Sequence, residues 1–285
     1  MHEEIYLVDS LKEPKKISEY LKKNLGFSTS LVARVKFGGV FLNGASVHMR
    51  AIVKNGDKIR VVFPKEQSEN IPPIDVPLDV LYEDEYILAV NKPKNMPTHP
   101  SRGNSLPTLA NAVMAHLGEG FVFRAINRLD RDTSGIVLIA KNSLAAANLS
   151  REMKSGGFVK KYTAVLSGKP EKEFGIIDAS IERECDGSIK RCVREDGKRA
   201  VTEYRVLKAL ESGNSVCEFR LLTGRTHQIR VHAAYICHPL VNDFLYGVHG
   251  EDTYFLHCSY LSFTHPKTKE RIEIVSNPDF YSLTL

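Results

Sequence analysis

Between Asn127 and Gly135 the chain reads Asn-Arg-Leu-Asp-Arg-Asp-Thr-Ser-Gly. One carboxylate, Asp130, stands between two arginines, Arg128 and Arg131. A positive surround of this kind keeps a carboxylate ionised. The apolar run from Ile136 to Ala140 follows at once and predicts a buried strand. Asp130 is therefore expected at the edge of a sheet, just ahead of a tight turn at Thr133-Ser134-Gly135. A carboxylate held there can serve as nucleophile or base. The flanking guanidiniums can hold phosphate or a nucleic-acid strand. Asp132 reads as structural or exposed.

A second stretch, Leu222 to His232, reads Leu-Thr-Gly-Arg-Thr-His-Gln-Ile-Arg-Val-His. It follows an apolar strand and a glycine turn and carries two arginines, Arg225 and Arg230, five residues apart. A guanidinium offers a bidentate fork to a buried carboxylate. Arg225, His227 and Gln228 can bind RNA or brace the loop, and His227 and His232 read as packed side chains. The two histidines have no acidic or Cys partner at metal spacing, so no metal site is expected.

The 285 residues suffice for a large domain and a small one. No run of 18 or more apolar residues is present, which argues against a transmembrane helix. The first ten residues lack a basic segment ahead of an apolar core, so no secretory signal is expected. The five cysteines are odd in number and contain no Cys-x-x-Cys pair. They fit reduced thiols in a cytoplasmic protein. The net charge of +5 is unevenly spread. The first 65 residues hold 12 Lys and Arg against 6 Asp and Glu; the other 220 hold 27 against 28. A small basic module suits a polyanionic partner, because neutralising phosphates releases counterions. It also suits a solvated lysine-rich face.

Residues 17–25 place Ile17, Leu21 and Leu25 on one helical face, ended by Gly26. A second helix with Leu31, Val32 and Val35 follows N-cap candidates Ser28 and Ser30. Residues 40–42 and 59–63 read as strands with Asn43-Gly44 and Asn55-Gly56-Asp57 turns. Residues 66–79, with Pro72, Pro73 and Pro77, form a stiff linker. From residue 80 onward helices are expected within 105–119 and over 144–154. Strands are expected over 87–90, 136–140, 162–166, 201–207, 216–222 and 271–275. Strands outnumber helices and often adjoin, which predicts an α+β fold with a mixed, largely antiparallel sheet. The expected division is 1–65, linker 66–79, and 80–285.

The stretch around Asp130 closely resembles the Arg-Leu-Asp-x-x-Thr-Ser-Gly signature of the RluA-type pseudouridine synthases. The Leu222 to His232 stretch is a second strong match, and Lys160-Lys161-Tyr162 resembles the family's Lys-x-Tyr strand. Weaker matches lie in the right order: Ala89-Val90-Asn91-Lys92-Pro93 with His99-Pro100, His238 to Gly247, Leu256-His257-Cys258, and His265-Pro266. The resemblance spans about residues 80–275. It implies a pseudouridine synthase fold, catalysis by Asp130, and pairing of Arg230 with that aspartate. It also implies that Tyr162 stacks on the target base and that Arg128 enters the RNA stack where the base is extruded. Residues 15–64 resemble the small S-four-like RNA-binding fold, with Lys22, Lys23, Arg34 and Lys36 as phosphate contacts. Two positions depart from the family pattern. Asn127 stands where histidine is common; it can hydrogen-bond backbone or phosphate but carries no charge. Asn242 stands where glycine is common, and asparagine tolerates the left-handed region.

The resemblance thus implies isomerisation of uridine to pseudouridine in structured RNA, with large-subunit ribosomal RNA the expected target and no cofactor. The cysteines suggest a cytoplasmic protein, and a monomer is the simpler expectation for two tethered domains. The alternatives are tRNA as substrate, an RNA-binding protein that has lost its chemistry, or a hydrolase using Asp130 and Asp132. On one tight turn those two carboxylates do not face each other across a sugar at the required separation of roughly 5–9 Å.

Overall fold

Two large apolar cores and a third cluster of three residues (Ile181, Ala200, Val231) form along the chain, in a computed structural model that describes residues 2–64, 71–100, 107–118, 120–247 and 254–281. The smaller core lies in the N-terminal residues. Helix α1 (Ile17–Lys23) buries Ile17, Tyr20 and Leu21. Helix α2 (Thr29–Val35) starts where the Ser28 side chain accepts a hydrogen bond from Leu31 N, and buries Leu31, Val32 and Val35. Both helices close over a sheet. Its strands are β1 (His2–Leu7), β3 (Val40–Leu42), β4 (Ala45–Ser46) and β6 (Lys58–Phe63), in the order β1-β6-β3-β4. Two short strands, β2 (Lys15–Lys16) and β5 (Ile52–Val53), pair beside it. The sequence gives no hint of β1, which pairs with β6 over six residues. Helix α1 stops three residues short of Gly26, whose φ of +82° lies in the left-handed region.

The larger core is built on a nine-stranded sheet with the path β11-β14-β15-β10-β16-β9-β8-β7 and β17 beside β16. The strands are β7 (Asp79–Glu83), β8 (Ile87–Lys92), β9 (Ser134–Ala140), β10 (Val159–Leu166) and β11 (Phe174–Asp178), then β14 (Val201–Ala209), β15 (Ser215–Leu221), β16 (Leu256–Thr264) and β17 (Arg271–Val275). A small hairpin, β12 (Ile181–Arg183) with β13 (Arg191–Val193), lies outside this sheet. Helices α3 (Leu109–Leu117), α4 (Ser143–Ser155) and α5 (Gln228–Tyr235) complete the domain. All pairings in the large sheet are antiparallel except β9 with β16. The α+β expectation therefore holds.

The parallel joint corrects one expectation. Thr133-Ser134-Gly135 is not the turn. The turn comes earlier, where Thr133 N donates to Asp130 O at 3.2 Å, and Ser134-Gly135 already belongs to β9. Ser134 pairs with His257 and Gly135 with Cys258. Gly135 has φ +107°, and a Cβ there would overlap the backbone of Cys258. Glycine is what lets the two strands meet.

The expected linker is only partly a spacer. Residues 65–70 lie outside the described residues, but Ile71 is buried in the larger core. Asn111 of α3 donates from Nδ2 to Pro72 O at 2.7 Å, and Ile74 N donates to Asn111 O at 3.2 Å. The two cores also touch directly. Lys267 Nζ pairs with the buried Glu4 carboxylate at 2.6 Å, the Arg151 guanidinium donates to Gly26 O, and Leu144 of α4 packs against the smaller core.

Replacing Gly135 with alanine combines backbone strain with a clash against main chain. Gly135→Ala is expected to lose about 3 kcal/mol or more of stability. Denaturant unfolding checks this; a loss below about 1 kcal/mol would show that the joint relaxes freely.

Candidate active site

The segment from Asn127 to Thr133 is anchored at alternate residues. Asn127, 5% exposed, donates from Nδ2 to Ile136 O and accepts from Leu138 N. Thr98 Oγ1 donates to Leu129 O at 2.8 Å and accepts from Leu129 N at 3.2 Å. Arg131 O accepts from Lys92 Nζ at 3.0 Å and from Met96 N at 3.2 Å. Thr133 Oγ1 meets Tyr254 OH at 3.1 Å. In an extended segment successive side chains point to opposite sides. With 127 and 129 inward, Arg128 and Asp130 face outward. Arg128 is exposed and Asp130 half-exposed. Asp132 turns back inward, is buried, and accepts from Nε and Nη2 of the Arg131 guanidinium at 3.0 Å each.

Lys92 lies beneath this loop with no exposure. Its Nζ reaches Pro93 O and Met96 O at 2.8 Å as well as Arg131 O. Burial pushes its pKa down to about 7, while Asp132 and Asp130 pull it up. Three carbonyls need three N–H donors together, which only the ammonium supplies.

The opposite wall comes from β10 and the β15–α5 connection. Tyr162 on β10 is 5% exposed and lines the same cavity as Asp130. The β10–β16 register shifts between Lys161 and Tyr162, a bulge of the kind that re-aims side chains beside sites. Burial and the Cys258 thiol hold the Tyr162 hydroxyl well above the usual phenol range, so it stays protonated. His227 sits in the left-handed region with φ +58°, just before α5. Its Nδ1 is 2.8 Å from Tyr246 OH, and its Nε2 is 3.9 Å from Asp130 Oδ2. Tyr246 OH accepts from Arg191 N at 2.9 Å and shares a hydrogen bond with His227 Nδ1. Burial lowers the His227 pKa, with Asp130 opposing, so the ring favours its neutral form near pH 7.

These groups share a cavity of about 650 Å³ that also admits Arg128, Arg225 and Met153. Arg225 is exposed at its edge, with Nε tied to Arg199 O at 3.0 Å.

Arg230 corrects the pairing expected from resemblance. Its guanidinium donates from Nε and Nη2 to the Asp243 carboxylate, at 2.7 Å each, and comes within 4 Å of no Asp130 oxygen. Both partners are buried, and the Tyr254, Tyr246 and Phe244 rings surround the guanidinium at 4.3, 5.0 and 5.4 Å. Asp243 Oδ1 also accepts from Leu245 N and Tyr246 N. Arg230 thus acts on the site through the loop that carries Tyr246. Its charge still reaches both Asp130 and His227 through space.

Two further assignments change. Asn127 is not an RNA contact, because its amide is spent on β9. Gln228 is 2% exposed and serves Thr223, Arg225 N, Val201 O and Thr202, so it braces the loop. His227 lies beside Asp130 rather than merely packed, whereas His232 is buried between Thr202 and Ala179 O. The sequence reading also missed Asp243 and Tyr246 as site-building residues. No local pattern in the sequence links Asp243 to Arg230; Phe244 and Tyr246 mark the segment only as aromatic. Asn242 does adopt the left-handed region, with φ +62°. In the N-terminal residues, Lys22, Lys23, Arg34 and Lys36 are all exposed; Lys23 pairs with Glu19 at 2.6 Å and Lys36 lies over Phe37.

Residues 86–235 match the family model described as RNA pseudouridylate synthase. The uncharacterized RNA pseudouridine synthase YjbO of Bacillus subtilis is 41% identical over 264 residues, covering 90% of this chain and 93% of that protein. The ribosomal large subunit pseudouridine synthase D of Xanthomonas campestris pv. campestris is 34% identical over 266 residues, covering 86% and 80%. Among solved structures, human RNA pseudouridylate synthase domain containing 1 superposes with a TM-score of 0.61 at 29% identity, over 72% of this chain and 84% of that one. The chain belongs to the RNA pseudouridylate synthase family. It is an RNA pseudouridine synthase of the RluA type.

Removing one partner of a buried ion pair strands the other charge. Asp243→Asn is therefore expected to lose about 3–5 kcal/mol and to release the Tyr246 loop. Thermal unfolding reads the first effect and hydrogen exchange at Leu245 and Tyr246 reads the second. Wild-type stability in the variant would remove Arg230–Asp243 as the brace of this wall.

Proposed function

We propose that the protein isomerises uridines in large-subunit ribosomal RNA, with Asp130 as the catalytic group. The observation that carries the reading is the placement of Asp130. It is half-exposed on an anchored loop and opens into a cavity shared with Tyr162, His227 and Arg128. The ribosomal target is supported by relatives whose names specify the large ribosomal subunit.

The reaction breaks the bond between ribose C1′ and uracil N1 and joins C1′ to C5. The hydrogen lost from C5 is balanced by one gained at N1, so substrate and product are isomers. An ionised carboxylate beside the sugar can attack C1′ or remove a sugar proton, either of which releases the base. The half-exposed position of Asp130 lets substrate reach it, and His227 Nε2 stands 3.9 Å from its carboxylate. Tyr162, protonated and lining the cavity wall, is the ring on which the uracil stacks while it turns. Reaching such a cavity requires the nucleotide to leave the RNA stack, which costs a few kcal/mol. Arg128, exposed beside Asp130, is the planar cation placed to fill the gap. The basic N-terminal residues, with Lys22, Lys23, Arg34 and Lys36, supply phosphate contacts. We also take the protein to act as a monomer in the cytoplasm, in keeping with its five free cysteines. Among the described residues no helix is long and apolar enough to cross a membrane.

The test is a pseudouridine map of ribosomal RNA and tRNA from cells lacking the protein, repeated after rescue with wild type and with Asp130→Asn. One or more ribosomal sites should vanish, return with wild type, and stay absent with the variant, while the purified variant binds RNA as wild type does. Sites lost only from tRNA would replace the ribosomal target. Restoration by Asp130→Asn would overturn the role of Asp130.

A further inference from the structure

A second cavity, about 570 Å³, opens where the N-terminal unit meets α4. Five cations line it: Lys22 and Arg34 from the N-terminal side, and Arg124, Arg151 and Lys154 from the other. No Asp or Glu among the described residues lines it. The exposed hydroxyls of Thr29 and Ser150 are also on its surface. Positive charge gathered on both walls, with hydroxyls between and no exposed aromatic ring, matches a sugar–phosphate chain rather than base edges. The two walls are held together. The Arg151 guanidinium donates to Gly26 O, and a Cβ on Gly26 would collide with the Asn148 side chain.

The cleft also adjoins the active-site cavity through the chain itself. Arg124 lines the cleft and its neighbour Ala125 lines the active site; Lys154 lines the cleft and its neighbour Met153 lines the active site. Successive Cα atoms are about 3.8 Å apart, so one loop and one helix end separate the two cavities.

We propose that this cleft holds the backbone of the substrate RNA next to the target uridine, making α4 and residue 124 part of the RNA-binding surface. The phosphate contacts then run from the N-terminal residues across Lys154 toward Arg128 without a break. The proposal rests on the RNA-binding reading above and extends it to residues of the catalytic domain that no sequence motif marked.

The test is binding of an unmodified, uridine-containing RNA stem-loop over a range of salt. Lys22→Gln/Lys154→Gln removes one cation from each wall. Both lysines are exposed, so the fold should tolerate the change. Each lost phosphate contact lowers the slope of log K against log salt by roughly 0.7–0.9. The double variant should lower the slope by about 1.4–1.8 and weaken binding at low salt. Lys172→Gln/Lys208→Gln, exposed near the far edge of the sheet, should leave both unchanged. A double variant with wild-type slope and affinity, or a control that loses as much, would overturn the cleft. If wild type itself shows no salt-dependent affinity for RNA, the RNA-binding reading of the N-terminal unit fails instead. If Lys23→Gln/Lys36→Gln alone weakens binding, that reading stands and only the cleft falls.

Discussion

Everything about the site depends on one buried ammonium. Lys92 has no access to water, yet three main-chain carbonyls converge on its Nζ, and one of them belongs to Arg131. Burying a charge without such partners is prohibitive. With them, the lysine ties the end of β8 and the Met96 loop to the residue after Asp130. It also places positive charge beneath Asp130 and Asp132 without exposing a cation to substrate. Thr98 and Asn127 secure the same loop two and four residues earlier. Together they turn a polar surface loop, which is ordinarily mobile, into a fixed platform.

The opposite wall is organised by a different device. Arg230 and Asp243 neutralise each other in the interior, inside a ring of three aromatic side chains. Their role is mechanical: Asp243 also receives two backbone N–H groups, and so fixes the loop that delivers Tyr246 to His227. Asp130 thereby meets a neutral imidazole whose ring is held by Tyr246. The arginine contributes only a more distant field.

The site's centre was readable in the chain because Arg128, Asp130 and the strand after them are contiguous. The partners were less so. Arg230 and Asp243 are joined by a loop, and nothing local to either names the other. Asn127 and Gln228 look like surface polar residues in sequence, but composition does not say that their amides serve β9 and Val201. The sheet was legible where apolar runs are long, as in β8 and β9. Helix α5 was not, because its eight residues are buried on nearly every side and show no one-sided pattern. Strand β1 was hidden by charged residues on an edge, where half the side chains face water.

The parallel joint of β9 with β16 has a consequence for synthesis. Residues 134–135 find their partners at 257–258, more than a hundred residues later. Contacts so distant in sequence form late, since a long loop must close before they form. A growing chain that has already exposed its basic N-terminal residues and Asp130 still lacks Asp243, Tyr246, Tyr254 and β16. The wall opposite Asp130 is therefore assembled only when the later strands join the sheet, although the loop that carries Asp130 is made first.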